Sequence, residues 1–243
     1  MCTVSYLPLQ GGGYILTSNR DEAPQRNAAE IRHVTMEGQS LIFPVDPVAG
    51  GSWFCVSDRD KVACLLNGAY VPFTPDPKFT QSRGKVLLDI MEHSSVQHFI
   101  DHSDFSRTAP FTIVLTEDGA LCELIWDGSS VTLRTLDAKE PAFWSSVTLY
   151  PEEVRVWRKA LFQEWISMHA DFDQHEIMRF HRYGSKDDQW NGFVMNRHER
   201  VRTLSISSVK KEGRHFTLLH ADLMSGETFS ETVELISADV AED

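Results

Sequence analysis

The sequence is short of basic charge, short of cysteine and free of long apolar runs. Its 23 Lys and Arg residues against 35 Asp and Glu give a formal net charge of −12. A surface that binds nucleic acid or anionic lipid needs a basic footprint, so neither is expected as a partner. The apolar runs are a few residues long, such as Phe193-Val194-Met195, far from the ~18 residues of a membrane span. The opening MCTVSYLPLQGGG lacks the basic and apolar regions of a secretory signal, and its second residue is not the Gly that myristoylation requires. The four cysteines are Cys2, Cys55, Cys64 and Cys122. Their spacing fits neither a zinc ribbon nor a Cys-x-x-Cys redox pair, and without Cys-x-x-Cys-His covalent c-type haem is excluded. Too few to form a disulfide scaffold, they point to a soluble protein of a reducing compartment, the cytoplasm.

The remaining composition, 42% hydrophobic and 24% charged, is that of an ordinary globular chain. A single domain is expected over residues 1–243. Cys2–Leu9 and Tyr14–Ser18 flank Gly11-Gly12-Gly13 as a hairpin. Ser52–Val56 and Val62–Asn67 flank Asp58-Arg59-Asp60 as a second hairpin. Gly68–Gln81, with three prolines, reads as a loop. Ser82 is a candidate N-cap for a helix whose face is Val86, Leu87, Ile90 and Met91, and Ser95–His102 reads as a second helix. Phe111–Thr116, Leu121–Trp126 and Val131–Leu136 are strands separated by Asp-Gly turns.

Pro151 at N1 opens a helix whose apolar face is Val154, Trp157, Leu161 and Trp165. Asp173–Tyr183 is another helix, capped by Asp173 and followed by Gly184 as a C′ residue. Arg202–Val209, His215–Ala221 and Glu227–Ile236 are closing strands. Strands joined by tight turns and interrupted by helix pairs predict an α+β sandwich. In it, two mainly antiparallel sheets meet face to face with helices outside.

The first hairpin carries the most specific chemistry. With its turn centred on Gly12, opposite residues sum to roughly 24. Cys2 would then face Arg20, Asp21 or Glu22, at ~5 Å between Cβ atoms. If Met1 is removed, Cys2 carries a free α-amine of pKa ~7.7–8.0 beside a thiol of ~8.5, so nucleophile and base are one residue. Arg20 would lower the thiol pKa and Asp21 would hold the ammonium. The plain alternative is a small buried Cys in a strand and a polar loop at Ser18–Glu22.

Met-Cys-Thr followed by Asn19-Arg20-Asp21-Glu22 resembles the NRDE, or transport and Golgi organization 2, family. So do Ala49-Gly50-Gly51-Ser52-Trp53, Leu66-Asn67-Gly68, Ser82-Arg83-Gly84 and Trp144-Ser145-Ser146. The resemblance implies kinship with N-terminal-nucleophile hydrolases and a four-layer αββα fold. It places Cys2 at the nucleophile position, Arg20 and Asp21 at the site pair and Asn67 at an oxyanion donor. Arg200 matches a late arginine, although His198-Glu199-Arg200 stands where the family carries Gly-Thr-Arg.

Two activities follow from the resemblance. The leading one is non-catalytic, intracellular haem binding and trafficking, with non-covalent haem held by a Cys2 thiolate and an Arg20–propionate pair. The alternative is an N-terminal-Cys amidohydrolase. Either way the partner is a small molecule. His98 and His102, with Asp101 and Asp104 nearby, have metal-like spacing but no third ligand, and read as a solvated helix face. His169, His175 and His181 read as surface, Trp157 and Trp165 as core, and Cys64 and Cys122 as buried and inert.

Overall fold

The computed structural model describes residues 3–28, 30–36, 38–169 and 171–236. The N-terminal hairpin is β1 (Thr3–Pro8) and β2 (Tyr14–Glu22), followed by a 3₁₀ turn at Pro24–Arg26. Then come β3 (Ile31–Met36), β4 (Gln39–Pro44), β5 (Phe54–Ser57) and β6 (Lys61–Asn67). Helices α1 (Arg83–Glu92) and α2 (Val96–His102) precede β7 (Phe111–Glu117), β8 (Ala120–Trp126), β9 (Val131–Leu136) and β10 (Ala142–Ser145). Helices α3 (Glu152–Ser167) and α4 (Gln174–Tyr183) lead to β11 (Asn196–Arg197), β12 (Val201–Glu212), β13 (His215–Asp222) and β14 (Thr228–Glu234).

Two seven-stranded sheets result, one in the order β10-β1-β2-β12-β13-β14 with β11 beside β12, the other running β3 to β9 in chain order. Every ladder between described strands is antiparallel. The β3–β9 sheet is covered on both faces, so its central strands are nearly all buried, as in β7 with Phe111, Ile113, Val114 and Leu115. The other sheet alternates. Val4, Tyr6, Tyr14 and Leu16 join the core between the sheets, whereas Leu7 and Ile15 pack outward with Phe162, Ile177 and Phe180 of α3 and α4. Helices α1 and α2 close the far face of the β3–β9 sheet through Val86, Leu87, Ile90 and Phe99. The four layers are therefore helix, sheet, sheet, helix, as expected.

Local details differ from the sequence reading. The β3–β4 hairpin and the edge strand β10 escape it: β3 and β10 are part-exposed and lack strong alternation, and β4 is a short, mostly buried strand whose Leu41-Ile42-Phe43 run does not alternate. Ser82 occupies the N-cap of α1 without a side-chain capping bond, whereas Ser95 and Asp173 cap α2 and α4 through their side chains. Pro151 is the N-cap of α3 rather than N1. Gly184 ends α4 in right-handed geometry, so no left-handed C′ residue is used there. In α3 the fully buried residues are Arg158 and Phe162, while Trp157 keeps 37% exposure. His181 is fully buried, contrary to the surface expectation. The reason is the same for both: the outward face of β1–β2 offers polar groups that pair with an arginine and a histidine.

Cys55 and Cys64 are fully buried and Cys122 nearly so, and burial pushes all three thiols up. That agrees with inert thiols for Cys64 and Cys122. None of the helices is long and apolar enough to cross a membrane among the described residues.

Candidate functional site

The turn of the first hairpin gives a register in which Thr3 faces Asn19 and Pro8 faces Tyr14. These partners sum to 22, two less than the value read from the glycines. Cys2 lies outside the described residues. Along β2 the alternation of a strand sends neighbours to opposite faces, and this separates the two site residues read from the sequence. Arg20 packs toward the β3–β9 sheet, its guanidinium 3.6 Å from the Trp53 ring centroid. Asp21 accepts from Tyr150 Oη at 2.9 Å and from Thr203 Oγ1 at 2.5 Å. Opposite this pair β12 carries a bulge between Thr203 and Ser205, so that Asp21 and Arg20 oppose residues two apart.

Arg20 is held by Asp46, in the loop after β4. Arg20 Nη2 donates to Asp46 Oδ2 at 2.7 Å, and Arg26 Nη2 reaches the same oxygen at 2.6 Å. The other oxygen accepts from the backbone N–H groups of Val48 and Ala49. Burial alone would raise the Asp46 carboxyl, but Arg26, the Ala49 amide and Arg20 outweigh it and hold it below the usual range. Burial pulls the Arg20 guanidinium down to about 10 against the opposing pull of Asp46 and Glu22, so it stays charged at neutral pH. Its side chain is 3% exposed. Arg20 Nη1 and Trp53 Nε1 are both buried and have no hydrogen-bond partner among the described residues.

Both residues line a cavity of about 870 Å³, within the ~300–1,000 Å³ usual for small-molecule sites. Its walls carry five cations, Arg20, Arg26, Arg83, Lys85 and Arg107, against the three acids Glu22, Asp46 and Asp104. In a chain of net charge −12 this is a local reversal of sign, and it favours an anionic guest. Sequence reading missed Asp46, Arg26, Trp53 and Arg107. Only Trp53 had a signal, inside a motif named for resemblance; the others are brought in by loops.

Asn67, at the end of β6, lines this cavity and also a second one of about 320 Å³. Its carbonyl accepts from Ser146 Oγ at 2.8 Å. Arg200 is elsewhere: exposed, in the turn between β11 and β12, and not part of the cavity wall. The structure thus brings Arg20 and Asn67 to one cavity, sets Asp21 on the other face of β2, and leaves Arg200 outside.

The motifs that carried the resemblance meet in space. Gly51 lies against Gly84, where a Cβ on Gly51 would come 2.4 Å from the Gly84 carbonyl carbon, so Ala49–Trp53 and Ser82–Gly84 interlock through two glycines. Ser52 N–H donates to the Gly84 carbonyl at 3.0 Å. Gly68, at φ +87°, would place a Cβ 2.9 Å from Thr148 Cγ2, which lets Asn67-Gly68 dock on the segment after Trp144–Ser146. Beyond Met-Cys-Thr, whose first two residues lie outside the described ones, each motif contributes lining residues to one of the two cavities.

Solved structures with the same architecture include a Caenorhabditis elegans N-acylethanolamine-hydrolyzing acid amidase ortholog. The similarity has a TM-score of 0.59 and 12% identity, covering 85% of this chain and 92% of that one. Two variants of the Clostridium perfringens conjugated bile acid hydrolase also match. An arginine-to-leucine variant gives a TM-score of 0.56 at 11% identity, covering 98% and 100% of the two chains. A cysteine-to-alanine variant gives 0.53 at 10%, covering 95% and 96%. The fold is that of the N-terminal-nucleophile hydrolases. No curated protein matches the sequence. Residues 1–175 match the family described as Transport and Golgi organisation 2, and with most of its length inside that match the chain belongs to this family.

Proposed function

We propose that the cavity receives an anionic small molecule and that Cys2 hydrolyses an amide or related acyl bond in it. The observation that carries this reading is the pair of buried donors without a partner among the described residues, Arg20 Nη1 and Trp53 Nε1, on two side chains that line a cation-rich cavity. An unmade hydrogen bond costs ~1–3 kcal/mol for a buried donor, and a ligand acceptor removes that cost. With Met1 removed, the α-amine of Cys2 takes the thiol proton and the thiolate attacks the carbonyl carbon. The oxyanion accepts a hydrogen bond from the Asn67 amide, and the leaving amine departs with the proton returned from the α-ammonium. Water, deprotonated by the same amine, then cleaves the thioester and restores the thiol. Asp46 keeps Arg20 charged and in place, and Arg200 has no part in the reaction.

Haem carriage is the second reading, favoured by the same excess of cations. Arg26, Arg83 or Arg107 would pair the propionates, and Trp53 and Phe79 offer flat faces. Among the described lining residues none is His, Tyr, Met or Cys, so the edge of haem fits these walls better than its iron does. Bound in this way, haem would be held by its periphery and released readily, as a carrier requires.

Two measurements separate the readings. Intact mass of the purified protein reports whether Met1 is gone, and iodoacetamide at pH 6–7 should label Cys2 before Cys55, Cys64 and Cys122. Retention of Met1 or uniformly slow labelling would sink the hydrolase. A haem titration should show a saturable Soret change near one haem per chain, weakened when Arg26, Arg83 and Arg107 are replaced by Ala together, if the carrier reading is right. Non-saturable binding, like that of an unrelated acidic protein, eliminates the carrier.

A further inference from the structure

Asn67 is the single residue that lines both cavities among the described residues. The two spaces on either side of it are chemically unlike. The larger is walled by arginines and a lysine, as described above. The smaller is formed where the end of β6 meets β8, β10 and the start of α3. Its lining includes Leu66, Ile125, Phe143, Trp144 and Val147. Trp144 is fixed there, because its Nε1–H donates to Glu123 Oε1 at 2.9 Å. Two buried polar atoms of residues in this wall, Ser145 Oγ and Arg155 Nε, have no hydrogen-bond partner among the described residues. An arginine Nε can only donate, so an occupant that satisfies it must bring an acceptor.

We propose that the substrate is a two-part amide whose reacting carbonyl sits at Asn67. An anionic half fills the larger cavity. A compact apolar or aromatic half, bearing a hydrogen-bond acceptor, fills the smaller one. This rests on the hydrolase reading and adds to it the chemical class of the substrate. The volumes, about 870 and 320 Å³, assign the larger part to the charged half. Arg20, Arg83 and Arg107 select charge on one side of the bond, and Phe143 and Trp144 select shape on the other.

Binding can be measured without turnover in the full-length Cys2→Ala protein. The probes are N-phenylacetyl-glutamate and N-succinyl-phenethylamine, which place the aromatic half on either side of the amide. At least one should bind saturably by calorimetry. Its dissociation constant should rise about tenfold in Trp144→Ala and about tenfold in Arg107→Ala, and stay within about threefold in Trp144→Phe, which keeps the aromatic wall. N-acetyl-glutamate should keep the Arg107 dependence and lose the Trp144 dependence. The proposal is overturned if neither two-part probe binds at millimolar concentration, or if Trp144→Ala changes affinity less than twofold. Failure of the hydrolase reading has a different signature: the unsubstituted protein retains Met1 or cleaves neither probe, while the binding pattern holds.

Discussion

The two helix layers solve the same packing problem with different chemistry. Over the β3–β9 sheet, α1 and α2 bury only apolar side chains, Val86, Leu87, Ile90, Met91, Val96 and Phe99. Over the other sheet, α3 and α4 bury Arg158, Gln174 and His181 alongside Phe162, Ile177 and Phe180. Most of the polar layer's donors are hydrogen-bonded, Arg158 Nε being the buried atom left without a partner among the described residues. Arg158 Nη1 donates to the carbonyls of Asn191 and Gly192 at 2.7 and 2.8 Å, Nη2 donates to Thr3 Oγ1, and the guanidinium lies over Tyr150 and Phe193. Gln174 Nε2 donates to the carbonyls of Ser208 and Thr217. Asn19 Nδ2 donates to the carbonyls of His181 and Phe193, which leaves Asn19 Oδ1 to accept from His181 Nδ1–H at 2.6 Å. His181 Nε2 then accepts from Ser5 Oγ–H at 2.7 Å. The apolar layer stabilises through burial and packing, with no directional hydrogen bonds. The polar layer fixes how β1 and β2 lie, and β2 carries Arg20 to the cavity.

If this contrast is right, the largest effect comes from Arg158→Ala. It leaves buried carbonyls and Thr3 without a donor and opens a cavity, so a loss of about 3–5 kcal/mol is expected in denaturant unfolding. A loss near zero would show that the layer tolerates repacking. Leu87→Ala, in the apolar layer, should cost about 2–4 kcal/mol. Its cost should be the same at pH 7 and pH 5, since no titrating group is involved.

Acid sharpens the comparison. Burial, with Arg158 nearby, lowers His181 to about 3, and burial lowers His220, between the sheets, to about 4. Both histidines take up a proton in the unfolded chain below ~6.5 while the folded state stays neutral. Unfolding therefore binds protons, and stability falls as pH drops from about 6.5 toward those lower values. The slope is about 1.4 kcal/mol per pH unit for each histidine. Substituting His181→Gln should remove one of these two contributions between pH 6 and 5, and an unchanged slope would contradict its buried neutral state. The smallest effect is at the caps, where the Ser95 and Asp173 side chains accept from His98 N–H and His175 N–H. Ser95→Ala and Asp173→Ala should each cost about 1 kcal/mol, read as a shift of the unfolding midpoint at constant slope.

The contrast also explains what could be read in advance. The face of α1 was legible because four apolar residues recur at helical spacing and nothing competes with them. In α3 the same periodicity named Trp157 and missed Arg158, because a buried arginine becomes favourable only when backbone carbonyls and aromatic faces from distant segments converge on it. His181 was misread for that reason.

By itself, the sequence determined the hairpin around Gly11–Gly13, both helix pairs and most of the strands, and the motif set that marks the family. These depend on neighbours along the chain, on the strand and helix periods and on turn chemistry. The tertiary structure decided which side of β2 each motif residue faces, that Asp46 and Arg26 brace Arg20, and that Asn67 stands between two unlike cavities. It also left Arg200 outside. Those outcomes depend on sheet register, on one bulge in β12 and on loops that meet across the sheets. No local pattern encodes them, since each contact joins residues far apart in sequence and costs chain entropy that only the completed fold repays.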